Sequence, residues 1–322
     1  MSAPARHIAP LPPPAGASRV EEDRYLWQAF RHHSRTFSLA ARLLPRAVRL
    51  PIATLYLFCR SVDTLADERV NQVGPAGALR ELDELREDLL LSLDGRPPQD
   101  LLWTRLAEVH ATFALPPRPL LELLDGAEWD LQGNPINTAD DLIAYSELVA
   151  GSVGEMMLPF LLPDPGRAVE LTPSARALGN AMQITNILRD VGEDLRKLDR
   201  IYLPQALLHE HGVSRADLRL AAASGAPTPQ YSCLMESVMS IAERLYREAE
   251  PGIRGLPLRS RFGIAAAARM YREILNEVRA SDYDNLRRRN IVDFPRKLRL
   301  VAQDDYGRRK SRLLSGPDYQ VA

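Results

Sequence analysis

The sequence predicts an all-α protein folded as one domain of roughly a dozen helices. Apolar residues recur with helical periodicity along most of the chain, strand-like alternation is nearly absent, and proline and glycine fall where helices should end. No repeat of fixed period and no long linker divides it.

The elements follow in order. Residues 1–17 are rich in proline and alanine, with Pro12, Pro13 and Pro14 in a row, so residues 1–20 read as a disordered tail. Pro45 and Pro51 precede a helical segment at 53–69, and the Gly95, Arg96, Pro97, Pro98 turn closes another at 75–93. Pro116 and Pro117 introduce 119–131. Thr138 or Asp140 caps 138–158, which stops before Pro163 and Pro165. Thr172 before Pro173 is a second cap, opening 173–195. Segments 229–250 and 257–281 complete the set. The folded domain is expected to span 21–305, with 306–322 as a polar C-terminal tail.

Composition narrows the function. With 322 residues, 45% of them hydrophobic, the chain has ample material for a large core. A net charge of −1 argues against a nucleic-acid protein. The two cysteines, Cys59 and Cys233, form no disulfide or zinc pattern and read as buried free thiols in a reducing, cytoplasmic setting. The first residues carry no secretory pattern. The most apolar stretch, 149–162, is interrupted by Glu155 and too short to span a bilayer.

Two predicted helices each carry aspartates four residues apart, Asp63 with Asp67 and Asp190 with Asp194. Such residues share a helical face, and like charges there repel by a few tenths of a kcal/mol, so the pattern wants a reason. In the second helix Gln183, Asn186, Asp190 and Asp194 form one polar stripe between Ile184, Ile187, Leu188 and Val191. A polar stripe on an apolar helix must face a wet cavity or a partner. Carboxylate and amide oxygens suit magnesium, which also recruits phosphate oxygens. One such pair alone is more often a solvated acidic face, with repulsion relieved by Arg60, Arg189 or Arg196. Two pairs, each with an arginine close by (Arg60, Arg189), fit a diphosphate, which needs both cations and a guanidinium clamp.

At this point the chain resembles the squalene/phytoene synthase family, over residues 25 to about 299. Five elements carry the resemblance in order. They are Ser34-Arg35-Thr36-Phe37; Tyr56, Cys59, Arg60, Asp63 and Asp67; Tyr145 with the Val149-Ala-Gly151-Ser-Val-Gly154 run; Gln183 to Asp194 followed by Arg200-Ile-Tyr202-Leu-Pro204; and a last stretch with Gly252, Tyr271, Asp284 and Arg287, Arg288 and Arg289. Thr64 and Glu68 stand where the family's first motif often has paired acids.

The resemblance implies an isoprenoid-synthase-type helical bundle around a central cavity, joining two prenyl diphosphates head to head. It implies magnesium, with manganese as substitute, on Asp63, Asp67, Asn186, Asp190 and Asp194. Arg35, Arg60, Arg189 and one of the 287–289 arginines, taken as Arg288, would clamp phosphate. Tyr56 and Tyr271 would hydrogen-bond diphosphate or face cationic carbon. Ser34, Phe37, Val149, Gly151, Gly154 and Gln183 would contact substrate, the two glycines through close approach of a prenyl tail. Ala41 is expected to leave the tunnel deep enough for geranylgeranyl diphosphate, giving phytoene without NADPH. The alternative is squalene or dehydrosqualene from farnesyl diphosphate. Released pyrophosphate is the expected proton acceptor, and Asp130 an acidic residue facing the cavity. An inactive relative acting as a helical assembly partner should have lost these aspartates or arginines. A forty-carbon hydrocarbon product implies peripheral membrane contact, at the inner face of the membrane, and downstream carotenoid enzymes as partners.

Overall fold

The computed structural model describes residues 16–162, 164–224, 227–293, 295, 296 and 299. They form fourteen α-helices and two π-helical turns, with no strand among the described residues.

The domain begins slightly earlier than expected. Helix α1 (Arg19–His33) opens at a capping box in which Ser18 and Glu21 satisfy each other's backbone. The remainder of the N-terminal tail and all of 306–322 lie outside the described residues. Short α2 (Arg35–Ala41) leads to α3 (Arg46–Thr64), which continues as a π-turn (Leu65–Arg69) and then α4 (Val70–Leu93). Gly74, at φ 73°, kinks α4 directly before Pro75, where a new helix was expected. Next come α5 (Leu101–Phe113), α6 (Pro117–Leu131) and α7 (Ala139–Ser146), the last capped by Thr138 rather than Asp140. A second π-turn (Glu147–Gly151) joins α7 to α8 (Ser152–Met156) and α9 (Leu158–Leu161).

Helix α10 (Pro165–Lys197) is the axis of the molecule, packing on the second π-turn, α8, α13 (Pro229–Gly255) and α14 (Leu258–Ala280). Between α10 and α13 lie α11 (Gln205–Glu210) and α12 (Arg215–Ser224). Pro51, expected to mark a helix boundary, and Pro173, expected to open a helix behind a Thr172 cap, instead sit inside helices, α3 and α10 respectively. Each leaves one carbonyl four residues back without its amide donor. Those carbonyls belong to Ala47 and Val169, both residues exposed to solvent.

The core has two main halves. One gathers Ile184, Leu188, Leu234, Met235, Val238 and Leu275 around α10, α13 and α14. The other gathers Leu55, Phe58, Leu82, Leu85, Leu106 and Leu124 around α3 to α6. Helices α3 and α10 each turn a face away from these cores, and the space between them is the cavity.

Candidate active site

A cavity of about 500 Å³ runs between α3 and α10. Asp63 and Asp67 line it from the end of α3 and its π-turn, and Gln183, Asn186, Asp190 and Asp194 line it from α10. The four carboxylates gather at one end. The other end is apolar, lined by Ala40, Ala41, Leu44, Leu161, Gly263 and Ala267 among others.

The carboxylates are under electrostatic load. Withdrawal from bulk water, and secondarily the Asp67 charge, pushes Asp63 up to about 7 although it is open to the cavity. Burial and Asp130 push Asp67 up to about 6, and burial with Asp190 and Asp67 pushes Asp194 up to about 7. Asp190 is held differently. Arg189 grips it through Nε at 2.8 Å and through Nη2, and Arg289 through Nε at 2.8 Å and Nη2 at 3.0 Å.

The arrangement fits divalent cations. The Oδ1 of Asn186 is buried without a hydrogen-bond partner among the described residues, while its amide nitrogen donates to Gln183 Oε1 at 3.4 Å. An orphaned amide oxygen beside crowded carboxylates is a set of hard oxygen donors. Among the described residues no three acidic, histidine or cysteine side chains converge on one point. Any ion here would therefore take few side-chain ligands and complete its shell with water or phosphate oxygens, as magnesium does.

A second network backs Asp67. Asp130 accepts from Tyr145 Oη and Tyr202 Oη, both at 2.8 Å, and the two rings stack at 5.3 Å. Arg200 donates to the Asp130 carbonyl at 3.0 Å and lies 3.7 Å from Asp67 Oδ1. Asp130, Tyr145 and Tyr202 line the cavity. The sequence flagged Asp130 and quoted Tyr145, Arg200 and Tyr202 in its motifs, but only tertiary contact reveals that they act together.

Phe37, Ala41, Tyr56, Val149, Gly154 and Arg189 also lie on the wall, as expected. Tyr271 stands behind it, stacked on Phe37 at 5.2 Å. Other expectations are corrected. Arg288 is largely exposed and pairs with Asp284 at 3.4 Å, while Arg289 lines the cavity. Ser34 is a helix cap whose Oγ accepts from the Phe37 amide at 3.1 Å, and is not part of the wall. Gly151 serves packing: a Cβ there would fall 2.6 Å from Asn180 Oδ1. Gly154 lines the cavity, yet its missing Cβ makes room for the Ala175 carbonyl of α10. Arg60 pairs with Glu68 at 2.6 Å, outside the lining, and reaches Asp63 and Asp67 only through its charge. The side chain of Arg35 lies outside the described residues. Cys59 lines the cavity, whereas Cys233 is exposed rather than buried.

The model of the family described as squalene/phytoene synthase matches residues 30–296. The chain belongs to the squalene/phytoene synthase family. Members of it are prenyltransferases, and this chain is one. It is 39% identical to a phytoene synthase of Thermus thermophilus, over 85% of this chain and 89% of that one. It is 37% identical to a phytoene synthase of Rhodobacter capsulatus, over 85% and 78%. A chloroplastic phytoene synthase of Zea mays is 36% identical over 83% of this chain, which spans 62% of the maize protein's length. Among solved structures, a dehydrosqualene synthase in complex with ligand superposes with a TM-score of 0.80 at 32% identity, over 89% of this chain and 96% of that one. The all-α family fold and prenyl diphosphate substrates accord with the cavity's two ends, one charged and one apolar. Among the described residues no helix is long and apolar enough to cross a membrane.

Proposed function

We propose that this enzyme condenses two geranylgeranyl diphosphates head to head, through a cyclopropylcarbinyl diphosphate, to phytoene. The observation that carries the reading is one cavity with two facing carboxylate pairs at one end and small residues, Ala40, Ala41, Gly263 and Ala267, at the other. Phytoene synthases among the relatives support it.

Asp63, Asp67, Asn186, Asp190 and Asp194 would hold divalent magnesium, which manganese replaces. Such ions supply charge neutralisation for the leaving diphosphate without proton transfer. Arg189 and Arg289, braced on Asp190, present guanidinium groups on the same wall for phosphate oxygens. The Tyr56 phenol stays protonated, because burial and then the Asp63 charge push its titration well up, and so it donates a hydrogen bond. Phe30 and Phe37 flank Tyr56 at 4.8 and 6.1 Å, placing aromatic faces where an allylic cation would sit. The apolar wall excludes the water that would quench that cation. Among the described residues no histidine lines the cavity, so the final proton passes to released diphosphate rather than to imidazole. Hydride is not required for phytoene, so NADPH is dispensable.

The test is a product assay with geranylgeranyl or farnesyl diphosphate, with and without magnesium and NADPH. Magnesium-dependent phytoene indifferent to NADPH is the expected result. Squalene-type products from farnesyl diphosphate alone would overturn the substrate assignment.

A further inference from the structure

The molecule is polarised along its cavity. Helices α3 and α10 both start at the apolar end and carry their aspartates at the other. From Arg46 to Asp63, and from Leu171 to Asp190, the helical rise is about 25 Å or slightly more.

Three chain turns meet at the apolar end. Gly263 of α14 packs against Leu44 and the Ala40 carbonyl of the α2–α3 turn. Arg167 near the start of α10 donates to the Gly255 carbonyl at 2.8 Å, and Gly255 rests on Leu171. Ser260 reaches the Leu161 carbonyl at the end of α9. The residues directly beneath, Leu44, Leu161, Leu171, Ile253 and Leu256, line the cavity.

The surface over this end carries an excess of positive charge. Residues 42–49, 164–170 and 250–263 contain seven arginines, no lysine and three carboxylates, within a protein whose net charge is −1. Arg42, Arg46, Arg167, Arg254 and Arg259 are exposed, and Leu258 stands 55% exposed among them. Helices α3, α10 and α14 also point their N-termini here, adding positive potential. Exposed guanidinium groups around an apolar side chain, above the apolar end of a cavity, complement a bilayer rich in anionic headgroups. Nucleic acid would satisfy the arginines and leave the apolar route beneath without a purpose.

We propose that this arginine-rich end docks on an anionic lipid bilayer and that the hydrocarbon product leaves the apolar end of the cavity into it. The proposal rests on the reading above that the product is a hydrocarbon. It locates membrane contact at the end opposite the carboxylates, so diphosphate enters and leaves on the aqueous side.

The experiment is co-sedimentation of the full chain with vesicles of phosphatidylcholine alone or with one third phosphatidylglycerol, at low and high salt. The variant Arg42→Glu/Arg46→Glu/Arg259→Glu changes three exposed residues outside the cavity. Arg24→Glu/Arg80→Glu/Arg272→Glu changes charge equally on other faces. Binding should appear with phosphatidylglycerol, weaken with salt, fall at least about tenfold in the first variant and stay within twofold in the second. Both variants should keep detergent-micelle turnover. Equal binding to both vesicle types, equal loss in both variants, or preferential binding of an oligonucleotide or an acidic peptide would overturn the proposal. Docking with no phytoene made in micelles would instead count against the reaction assigned above, leaving the docking face standing.

Discussion

Replacing Gly192 by alanine should disable the site without unfolding the protein. Gly192 lies in α10 between Asp190 and Asp194, where the segment after α14 crosses the helix. A Cβ there would stand 1.9 Å from the Leu286 carbonyl oxygen and 2.4 Å from its carbon, both backbone atoms. Ordinary contact needs roughly 3.3 Å, so the segment must retreat by more than about 1 Å. Three residues on, Arg289 reaches Asp190 over bonds of 2.8 and 3.0 Å, which a retreat of that size breaks. A displacement of about 1 Å at a positioned clamp corresponds to about a 100-fold loss of kcat. Overpacking should lower stability by about 1–3 kcal/mol. The assay is pyrophosphate release from geranylgeranyl diphosphate, with thermal melting alongside. Gly77→Ala in α4 is the control: its Cβ would crowd Val73 at 2.8 Å, both residues outside the cavity lining, and turnover should survive a similar stability loss. Turnover within threefold of the parent in Gly192→Ala would refute the reasoning.

Other predictions follow from the same geometry. Arg289→Ala should lower kcat/KM at least about tenfold, since it removes a charge-assisted clamp, whereas Arg288→Ala should stay within twofold; parallel steady-state kinetics decide. Asp63, Asp67 and Asp194 titrate higher when folded than their ordinary 3.8, so the native state binds more protons than the unfolded chain between about pH 4 and 7. Stability in chelator should therefore fall as pH rises through that window, magnesium should restore it above pH 7, and Asp194→Asn should flatten the profile, all read by calorimetry. Ala41→Phe places a ring against Phe30 and Ala53, where Ala41 is 2% exposed. It should cut turnover of geranylgeranyl diphosphate at least tenfold while sparing farnesyl diphosphate, as chromatography of products would reveal.

The acidic stripe was legible because helical spacing alone puts Gln183, Asn186, Asp190 and Asp194 on one face, and the structure turns that face to the cavity. Which arginine of three reaches Asp190 was not, since the answer lies in a nonhelical segment. Asn285 is buried, donating to the Leu188 carbonyl and accepting from Tyr231 Oη at 2.8 Å, and Asp282 and Tyr283 take positive φ just before it. Those tertiary anchors aim residue 289 inward and 288 outward. Ser34 misled for the opposite reason: a serine before a helix has an entirely local use as a cap. Gly151 and Gly154 were rightly read as sites of close approach, but what approaches is α10, and no periodicity distinguishes a neighbouring helix from a prenyl chain. Pro51 reads as a helix boundary, and Pro173 behind Thr172 as a helix start, because sequence does not tell which carbonyl will face water.

The two π-turns carry a consequence for how this chain tolerates change. Each holds one residue more per turn than an α-helix, and each lies where a wall of the cavity is made, Asp67 within the first and Val149 within the second. Deleting one residue from either would let the turn close to ordinary α-helical geometry while the helix on each side keeps nearly its present facing, because the π-turn already absorbs one extra residue. Only side chains inside the turn would change facing, Asp67 in the first and Val149 in the second, with the helices beyond them undisturbed. A single deletion is thus better absorbed within residues 65–69 and 147–151 than in the helical turns beside them, where it would rotate one side by about 100° relative to the other. A library of single deletions should recover folded protein more often from these two windows.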